Sequence, residues 1–281
     1  MEPLPSLFVS HGAPTLALEP GVAGAMLATL ARELPRPRGI LVASAHWETP
    51  ALQVGTSAHP ATIHDFGGFP PALYALRYPA PGDPGLARAA AQLLVGSGLA
   101  VSEDPVRGLD HGAWVPLSLM YPAANIPVAT ISLWAGHGPA AHLALGRALR
   151  PLTEAGILVL GSGSLTHDLS RVWGQAPDAA SDPSVVEFTE WVESRLADGD
   201  IDALLDYRCR APQARAHHPT EEHLMPLYVA LGAAGEGATL IRRPGGTTYG
   251  VLSMDAYVAG PRGLGSTKVA RASGVSSSPA G

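Results

Sequence analysis

The sequence has very little cysteine and no clustered positive charge. Its 281 residues include a single cysteine, Cys209, so neither an internal disulfide nor a zinc site built from several thiolates can form. The formal net charge is −6, and Lys and Arg do not occur in runs. Because phosphate binding needs clustered positive charge, we do not expect nucleic acid as a partner.

Long apolar runs and several common catalytic motifs are also missing. No stretch reaches the ~20 apolar residues that a membrane span requires, and the N-terminus lacks the basic and then apolar pattern of a secretory signal. We therefore expect a cytoplasmic protein with no membrane partner. The phosphate-binding and dinucleotide-binding glycine motifs are absent. Ser162 is not in the Gly-x-Ser-x-Gly turn of serine hydrolases, because Leu160 and Ser164 stand where that turn has its two glycines.

Apolar residues are distributed in a way that is typical of an α/β protein. They make up 46% of the chain, which is enough to bury a full core. Four short apolar runs have the character of strands covered on both faces of a parallel sheet: residues 7–9, 40–43, 128–131 and 157–160. Helical spacing occurs in five segments: 22–34, 84–94, 140–152, 184–196 and 220–231. For the last segment, we predict a cap at Thr220 and an end at the glycines from Gly232 onward.

The alternation of these strands and helices predicts one α/β domain over residues 1–259. Its central sheet should be mostly parallel and flanked by helices. We see neither an internal repeat nor a dividing linker. Residues 260–281 are mostly small and polar, which predicts a disordered C-terminal tail. The aromatic and glycine-rich loop over residues 62–70 suits a cover for a substrate better than a spacer.

Histidine is the residue type that points to a function, with 11 copies in the chain. His11 and His46 directly follow predicted strands, and His167 follows the fourth strand after a Gly-Ser run that we predict to be flexible. Ligands of open α/β sheets bind at the carboxyl ends of the strands, so these three side chains could converge on one crevice. His223, in the first turn of the last predicted helix, could close the site from the other side.

A single histidine is usually a surface or structural residue. Three at strand ends, beside small residues that allow a close approach, instead predict a metal site. From the residues alone, two functions stay open besides oxygen chemistry. One is a zinc-dependent hydrolase, because zinc accepts three histidines and activates water. The other is a non-catalytic metal-binding protein on the same fold.

Several motifs together carry a family resemblance. They are Ser10-His11-Gly12-Ala13-Pro14, Ser44-Ala45-His46-Trp47, Ile63-His64-Asp65-Phe66-Gly67-Gly68-Phe69-Pro70, Asp110-His111-Gly112-Ala113-Trp114 and His218-Pro219-Thr220-Glu221-Glu222-His223. In this order, from about Leu7 to about Met254, the chain resembles the 4,5-DOPA dioxygenase-like branch of the class III extradiol ring-cleaving dioxygenases. The resemblance implies a non-haem Fe(II) enzyme that inserts both atoms of O2 into a small aromatic diol, such as a DOPA-like catechol. Zn(II) can occupy the same site.

The resemblance also implies roles for individual residues. His11, His46 and His223 match the metal positions. The wider class has a glutamate as its third ligand, so Glu222 is the alternative to His223.

Two further histidines match positions near the metal. His167 matches the acid/base histidine, which can also be a fourth ligand in a resting zinc form, and His111 matches a histidine that lines the substrate and oxygen pocket. Neither the substrate's side chain nor the oligomeric state follows from the sequence. Arg77, Arg107 and Arg171 are the candidates to pair with a substrate carboxylate.

Overall fold

The structure, a computed structural model, describes residues 3–261. Its strands are β1 (Leu7–Ser10), β2 (Gly39–Thr49), β3 (Leu52–Gly55), β4 (Val101–Asp104), β5 (Val128–Trp134), β6 (Ile157–Gly163), β7 (Ala238–Arg243), β8 (Thr247–Thr248), β9 (Leu252–Ser253) and β10 (Ala256–Pro261). Its helices are α1 (Gly21–Glu33), α2 (Pro71–Ala75), α3 (Pro84–Gly96), α4 (His111–Met120), α5 (Pro139–Glu154), α6 (Pro183–Asp198), α7 (Ile201–Leu205), α8 (Tyr207–Arg210), α9 (Ala214–His217) and α10 (Met225–Ala234).

The main sheet has the strand order β4-β3-β5-β2-β6-β1-β10-β7. Its four central strands, from β5 to β1, run parallel to one another. Antiparallel pairing occurs toward the edges, between β3 and β5 and between β10 and both of its neighbours. The prediction of an α/β fold with a mostly parallel central sheet flanked by helices is therefore confirmed.

The core consists of two layers, one on each face of this sheet. Side chains alternate between faces along a strand, so Leu7 and Val9 pack into one layer while Phe8 packs into the other. The first layer is covered by α1 and α4, and the second by α3, α5, α6 and α10. Burial on both faces explains why the central strands are almost entirely apolar.

Strand β2 is longer than predicted, because it continues through His46 to Thr49. Its ladder with β6 ends at Ser44, and its register with β5 shifts between Ala43 and Glu48. His46 therefore lies in the irregular part of a strand and not directly after one. The prediction missed this extension because Trp47, Glu48 and Thr49 do not continue the apolar run.

The start predicted for the last helix was wrong, and its end lies three residues beyond the predicted Leu231. The helix α10 begins at Met225, with Pro226 in its first turn, and Thr220 donates its hydroxyl to Glu222 instead of capping the helix. The main chain at His223 is not helical but is bound to the residue after β6: the His223 carbonyl accepts a hydrogen bond from the Ser164 N–H, 2.9 Å away. At the other end Gly232 lies inside the helix, and Gly235, at φ 87°, ends it.

The Gly-Ser run before His167 is also not the flexible segment that we predicted. Gly161, Ser162 and Gly163 belong to β6 and are buried. A Cβ atom at Gly161 or Gly163 would collide with the main chain around Pro226 or His223. These glycines let the segment that carries His223 pack directly on the end of β6.

The end of the predicted domain is close to the end of the described chain. Gly260 and Pro261, which we assigned to the tail, belong to β10, and the rest of the predicted tail lies outside the described residues. Among residues 3–261, no helix has the length and apolar character needed to cross a membrane.

Candidate metal centre and active site

Three histidines from distant parts of the chain meet at the carboxyl ends of the central strands. His11 directly follows β1, His46 lies beyond the β6 ladder on β2, and His223 lies in the turn before α10. One ligand atom from each lies within 4.8 Å of the others. The Nε2 atoms of His11 and His46 are 3.0 Å apart. The structure therefore brings the three predicted metal positions together.

The backbone of His46 is held by a buried polar network. Its carbonyl accepts a hydrogen bond from Arg107 at 3.3 Å, and its N–H donates to the Ser44 hydroxyl at 3.2 Å. Asp110 accepts from both Arg107 and Ser44, and it also caps α4 through the Ala113 N–H. Asp110 is 1% exposed, and Arg107 supplies the opposite charge that a buried carboxylate needs. The network ties the irregular part of β2 to the start of α4.

Each of the three imidazoles has an oxygen acceptor beside its Nδ1 atom. For His11 it is the Ser162 hydroxyl at 3.1 Å, and this hydroxyl donates its own proton to the Gly112 carbonyl, so it must accept from the ring. For His223 it is the Glu222 carboxylate at 2.8 Å.

For His46 the acceptor is the Asp65 carboxylate at 3.4 Å, a looser contact than a normal hydrogen bond. Acceptors at Nδ1 place the ring proton there and leave the Nε2 lone pairs free to bind a cation.

The donor set fits a metal ion. His223 is buried, and its Nε2 atom has no hydrogen-bond partner among the described residues, which is costly unless a ligand binds there. The 3.0 Å separation of the His11 and His46 Nε2 atoms matches adjacent ligands of an octahedral ion, which lie about 3 Å apart for bonds of ~2.1 Å. Neutral imidazoles in a facial set suit a divalent transition metal.

The electrostatics of the site favour neutral imidazoles. Burial lowers the pKa of His11 well below its ordinary value, and the neighbouring His46 adds to the effect. Burial and the neighbouring His111 likewise lower the pKa of His46. A histidine must be neutral to bind a metal, so both rings are prepared for ligation near neutral pH.

Glu222 lies beside His223 and not between the other ligands. Its carboxylate accepts hydrogen bonds from the His223 ring and from Thr220. Although burial raises the pKa of Glu222, the hydrogen bond from His223 lowers it further, to about 2. Glu222, His167 and His223 lie close enough to one another to hold a metal ion. The hydrogen bond between Glu222 and the His223 ring, however, accounts for the closeness of these two residues.

Two further histidines adjoin these three. His111 is the first residue of α4, and its ring centroid lies 3.9 Å from that of His46. His167 stacks on His223, with ring centroids 3.4 Å apart and planes inclined by 12°. Burial, followed by the effect of His223, lowers the pKa of His167 to about 3. All five histidines that the sequence singled out therefore occupy one site.

The loop over residues 62–70 lies against this site. Its residue Phe66 packs edge-on against His111 at 5.7 Å and also contacts the Trp114 ring. Three hydrogen bonds join the loop to the start of α4: Trp114 Nε1 donates to the Ile63 carbonyl, and the main-chain N–H and the Nδ1 atom of His111 both donate to Asp65. This position agrees with a loop that covers a substrate.

Sequence reasoning missed two residues that support the ligands. Asp65 was inside a recognised motif but was read only as part of the loop, and Ser162 was considered only as a nucleophile. A carboxylate next to a histidine motif is a signal for a hydrogen-bond acceptor, but its target depends on the fold. The three arginine candidates all have partners within the protein: Arg77 with main-chain oxygens of Tyr74 and Leu76, Arg107 with Asp110, and Arg171 with Asp182.

Comparisons with known proteins agree with the resemblance. Residues 9–258 match the model of the catalytic LigB subunit of aromatic ring-opening dioxygenase. The 4,5-DOPA dioxygenase extradiol of Beta vulgaris is 41% identical over 90% of this chain and 95% of its own length. The protein of the same name from Escherichia coli K12 is 38% identical, covering 89% and 93%.

A solved structure supports the same assignment. The crystal structure of an uncharacterized protein from Escherichia coli K12 has a TM-score of 0.74 and 31% identity, and the match covers 92% of this chain and 100% of that one. These likenesses do not favour a hydrolase or a non-catalytic metal protein. The chain belongs to the class III extradiol dioxygenases, non-haem metal enzymes that open an aromatic ring with O2.

Proposed function

We propose that this enzyme opens the ring of a catechol, DOPA-like or a related aromatic diol, at the bond beside the two hydroxyls. The observation that carries the proposal is the convergence of His11, His46 and His223, with two more histidines alongside. The relatives named for 4,5-DOPA support a diol that bears an amino-acid side chain.

We propose Fe(II) as the catalytic metal, held by His11, His46 and His223. When bound to three ligands on one face, Fe(II) supplies open positions and the redox chemistry that O2 needs. Zn(II) accepts the same ligands but has no accessible redox change, so it would fill the site without supporting the reaction. We prefer His223 to Glu222 as the third ligand, since its unpartnered Nε2 needs a ligand and Glu222 is already engaged with its Nδ1.

His167 is the proposed acid/base residue. A diol must lose a proton as it binds, and a neutral imidazole next to the metal site can take it. The ring of His167 has its pKa lowered and is therefore neutral at the start. An anionic diol oxygen arriving nearby would favour the protonated form, because opposite charges at close range raise the pKa of a base. The same proton can later be returned during ring opening. In a resting zinc form, His167 could be a fourth ligand.

His111 and the covering loop are proposed to act on the substrate side. The His111 Nδ1–H donates to Asp65, so the Nε2 of the neutral ring accepts a hydrogen bond from a substrate hydroxyl and donates only once protonated. Phe66 stands beside this ring and excludes water from one side of the site.

The test is anaerobic loading of the metal-free protein with Fe(II), followed by oxygen-electrode assays over a panel of catechols. We expect O2 uptake in a one-to-one ratio with a ring-opened product. The His11→Ala variant is the control, and it should bind no metal and consume no O2. Loss of O2 uptake for every catechol in fully iron-loaded protein would contradict the proposal, and metal-dependent ester hydrolysis by the same sample would favour the zinc hydrolase.

A further inference from the structure

One carboxylate group contacts two of the site histidines at once. Asp65 Oδ2 lies 2.9 Å from Nδ1 of His111 and 3.4 Å from Nδ1 of His46, while Oδ1 accepts the His111 main-chain N–H at 2.9 Å. His46 comes from β2 and His111 from α4, so the loop residue joins two separate elements. Among the described residues, the ion-pair partners of Asp65 are these two histidines.

The contacts fix which ring nitrogen carries the proton. An ionised carboxylate can only accept hydrogen bonds, so a ring nitrogen that contacts it must be an N–H. Oδ1 of Asp65 accepts the His111 main-chain N–H, which is always a donor, and Oδ2 lies 2.9 Å from Nδ1 of the same ring, as a second accepted hydrogen bond requires. The Nε2 atom of His111 is then a lone-pair acceptor, and the looser 3.4 Å contact favours the same tautomer for His46.

The contacts of Asp65 indicate that it positions the two histidines and does not itself bind the metal. Both Asp65 oxygens are taken up by N–H groups of His111, and the structure gives His46 a better-placed ligand atom in Nε2, next to His11. The three-residue cluster of Asp65, His46 and His111 is therefore explained by hydrogen bonding, as for Glu222 and His223.

We propose that Asp65 is a positioning residue that sets the tautomer and orientation of His46 and His111 together. This rests on the proposed metal role of His46. Because Asp65 belongs to the 62–70 loop, the residue also attaches the covering loop to the metal centre. Displacement of the loop would then release the Nδ1 acceptor of a metal ligand and of a substrate-side histidine in one step.

The Asp65→Asn variant tests the proposal with almost no change in size. The side-chain oxygen of Asn can still accept the His111 main-chain N–H. The amide nitrogen, however, places a donor opposite the His111 Nδ1–H, so the ring must change tautomer or turn away. We expect the ¹⁵N histidine spectrum of the metal-free protein to show a change at His111. We also expect metal affinity, measured by competition with a chromophoric chelator, to fall by about 10- to 100-fold. A loss of this size is usual when the hydrogen-bond acceptor of a metal-binding histidine is removed.

Two further variants complete the design. Asp65→Glu keeps the acceptor and should recover part of the affinity and the wild-type tautomer, which a purely structural loss would not do. Asp200→Asn is the matched control, because this carboxylate caps α7 through the Ala203 N–H and Asn caps equally well. It should change neither readout.

The outcomes separate this proposal from the metal site itself. If His11→Ala abolishes metal binding while Asp65→Asn binds within twofold of wild type with an unchanged spectrum, the metal site stands and the positioning role of Asp65 is refuted. If His11→Ala still binds metal, the ligand assignment fails. In that case metal affinity no longer tests the role of Asp65, and the His111 tautomer in the metal-free Asp65→Asn protein is the remaining test. An unchanged tautomer overturns the proposal.

Discussion

Replacing Gly163 by alanine should damage the metal site without touching a ligand side chain. Gly163 ends β6, and a Cβ atom there would lie 3.1 Å from the His223 carbonyl carbon and closer still to its oxygen. A carbon normally stays ~3.3 Å or more from a carbonyl oxygen, so the His223 segment must move by roughly 1 Å. The Ser164 N–H to His223 carbonyl bond, now 2.9 Å, would be stretched by the same movement.

Two quantities should change in the Gly163→Ala variant. Overpacking of a tight contact costs about 1–3 kcal/mol in the free energy of unfolding. Displacement of a ligand should also weaken metal binding by about 10- to 100-fold, comparable to loss of a supporting partner. Denaturant titration of the metal-free protein measures the first quantity, and chelator competition measures the second.

The Gly146→Ala variant is the matched control. A Cβ atom at Gly146 would meet the main chain of Val229, with the carbonyl carbon at 2.9 Å, within helix α10 and away from His223. It should be destabilised to a similar extent while keeping most of its metal affinity. Equal destabilisation of both variants with wild-type metal affinity in Gly163→Ala would refute the reasoning that β6 positions His223.

Three other results are expected. His167→Gln should keep Fe(II) and bind substrate while turnover falls by ~10²–10⁴-fold. Release of the metal, as in His11→Ala, would instead make His167 an essential ligand. Protein loaded with Zn(II) should show no O2 uptake with catechols, and rates equal to those with Fe(II) would rule out the proposed oxygen chemistry. The third result concerns His218, which is fully buried and whose pKa is lowered by burial to about 3. Above pH 6.5 it is neutral in both states, and below that pH the unfolded state alone takes up the proton. Its contribution to stability should fall by about 2 kcal/mol between pH 7 and pH 5. Urea unfolding of metal-free wild type and His218→Gln at the two pH values checks this, and parallel losses in both proteins would contradict it.

The central sheet could be predicted because burial on both faces demands uninterrupted apolar runs. The strands β1, β5 and β6 carry that pattern, and so does the first half of β2. The second half of β2 leaves its partner β6 and carries polar residues, so its extension through His46 was not visible. Pairing of β10 with β1, and of β7 with β10, depends on tertiary contacts that no local pattern specifies.

The sequence predicted which histidines lie together but not the contacts that support their rings. His11 directly follows β1, and His46 lies in β2 beyond its last pair with β6, so both are close to the edge where an α/β sheet binds ligands. The partners of their rings were not predictable, because Asp65 and Ser162 reach them only after the loop and β6 are in place. The helix start near His223 was misplaced for a similar reason. The contact with Ser164, and not local helix propensity, determines the backbone there.

The strand order has a consequence for how the protein is made. β1 and β2, which position His11 and His46, are not neighbours in the sheet, because β6 lies between them and pairs with both. A ribosome releases β6 more than a hundred residues after β2, and His223 follows later still. An emerging chain therefore displays two of the imidazoles proposed to bind the metal long before it can bring them together. Metal binding at the proposed site must therefore wait until His223 has been synthesised, and tight metal binding would mark a polypeptide whose domain has folded.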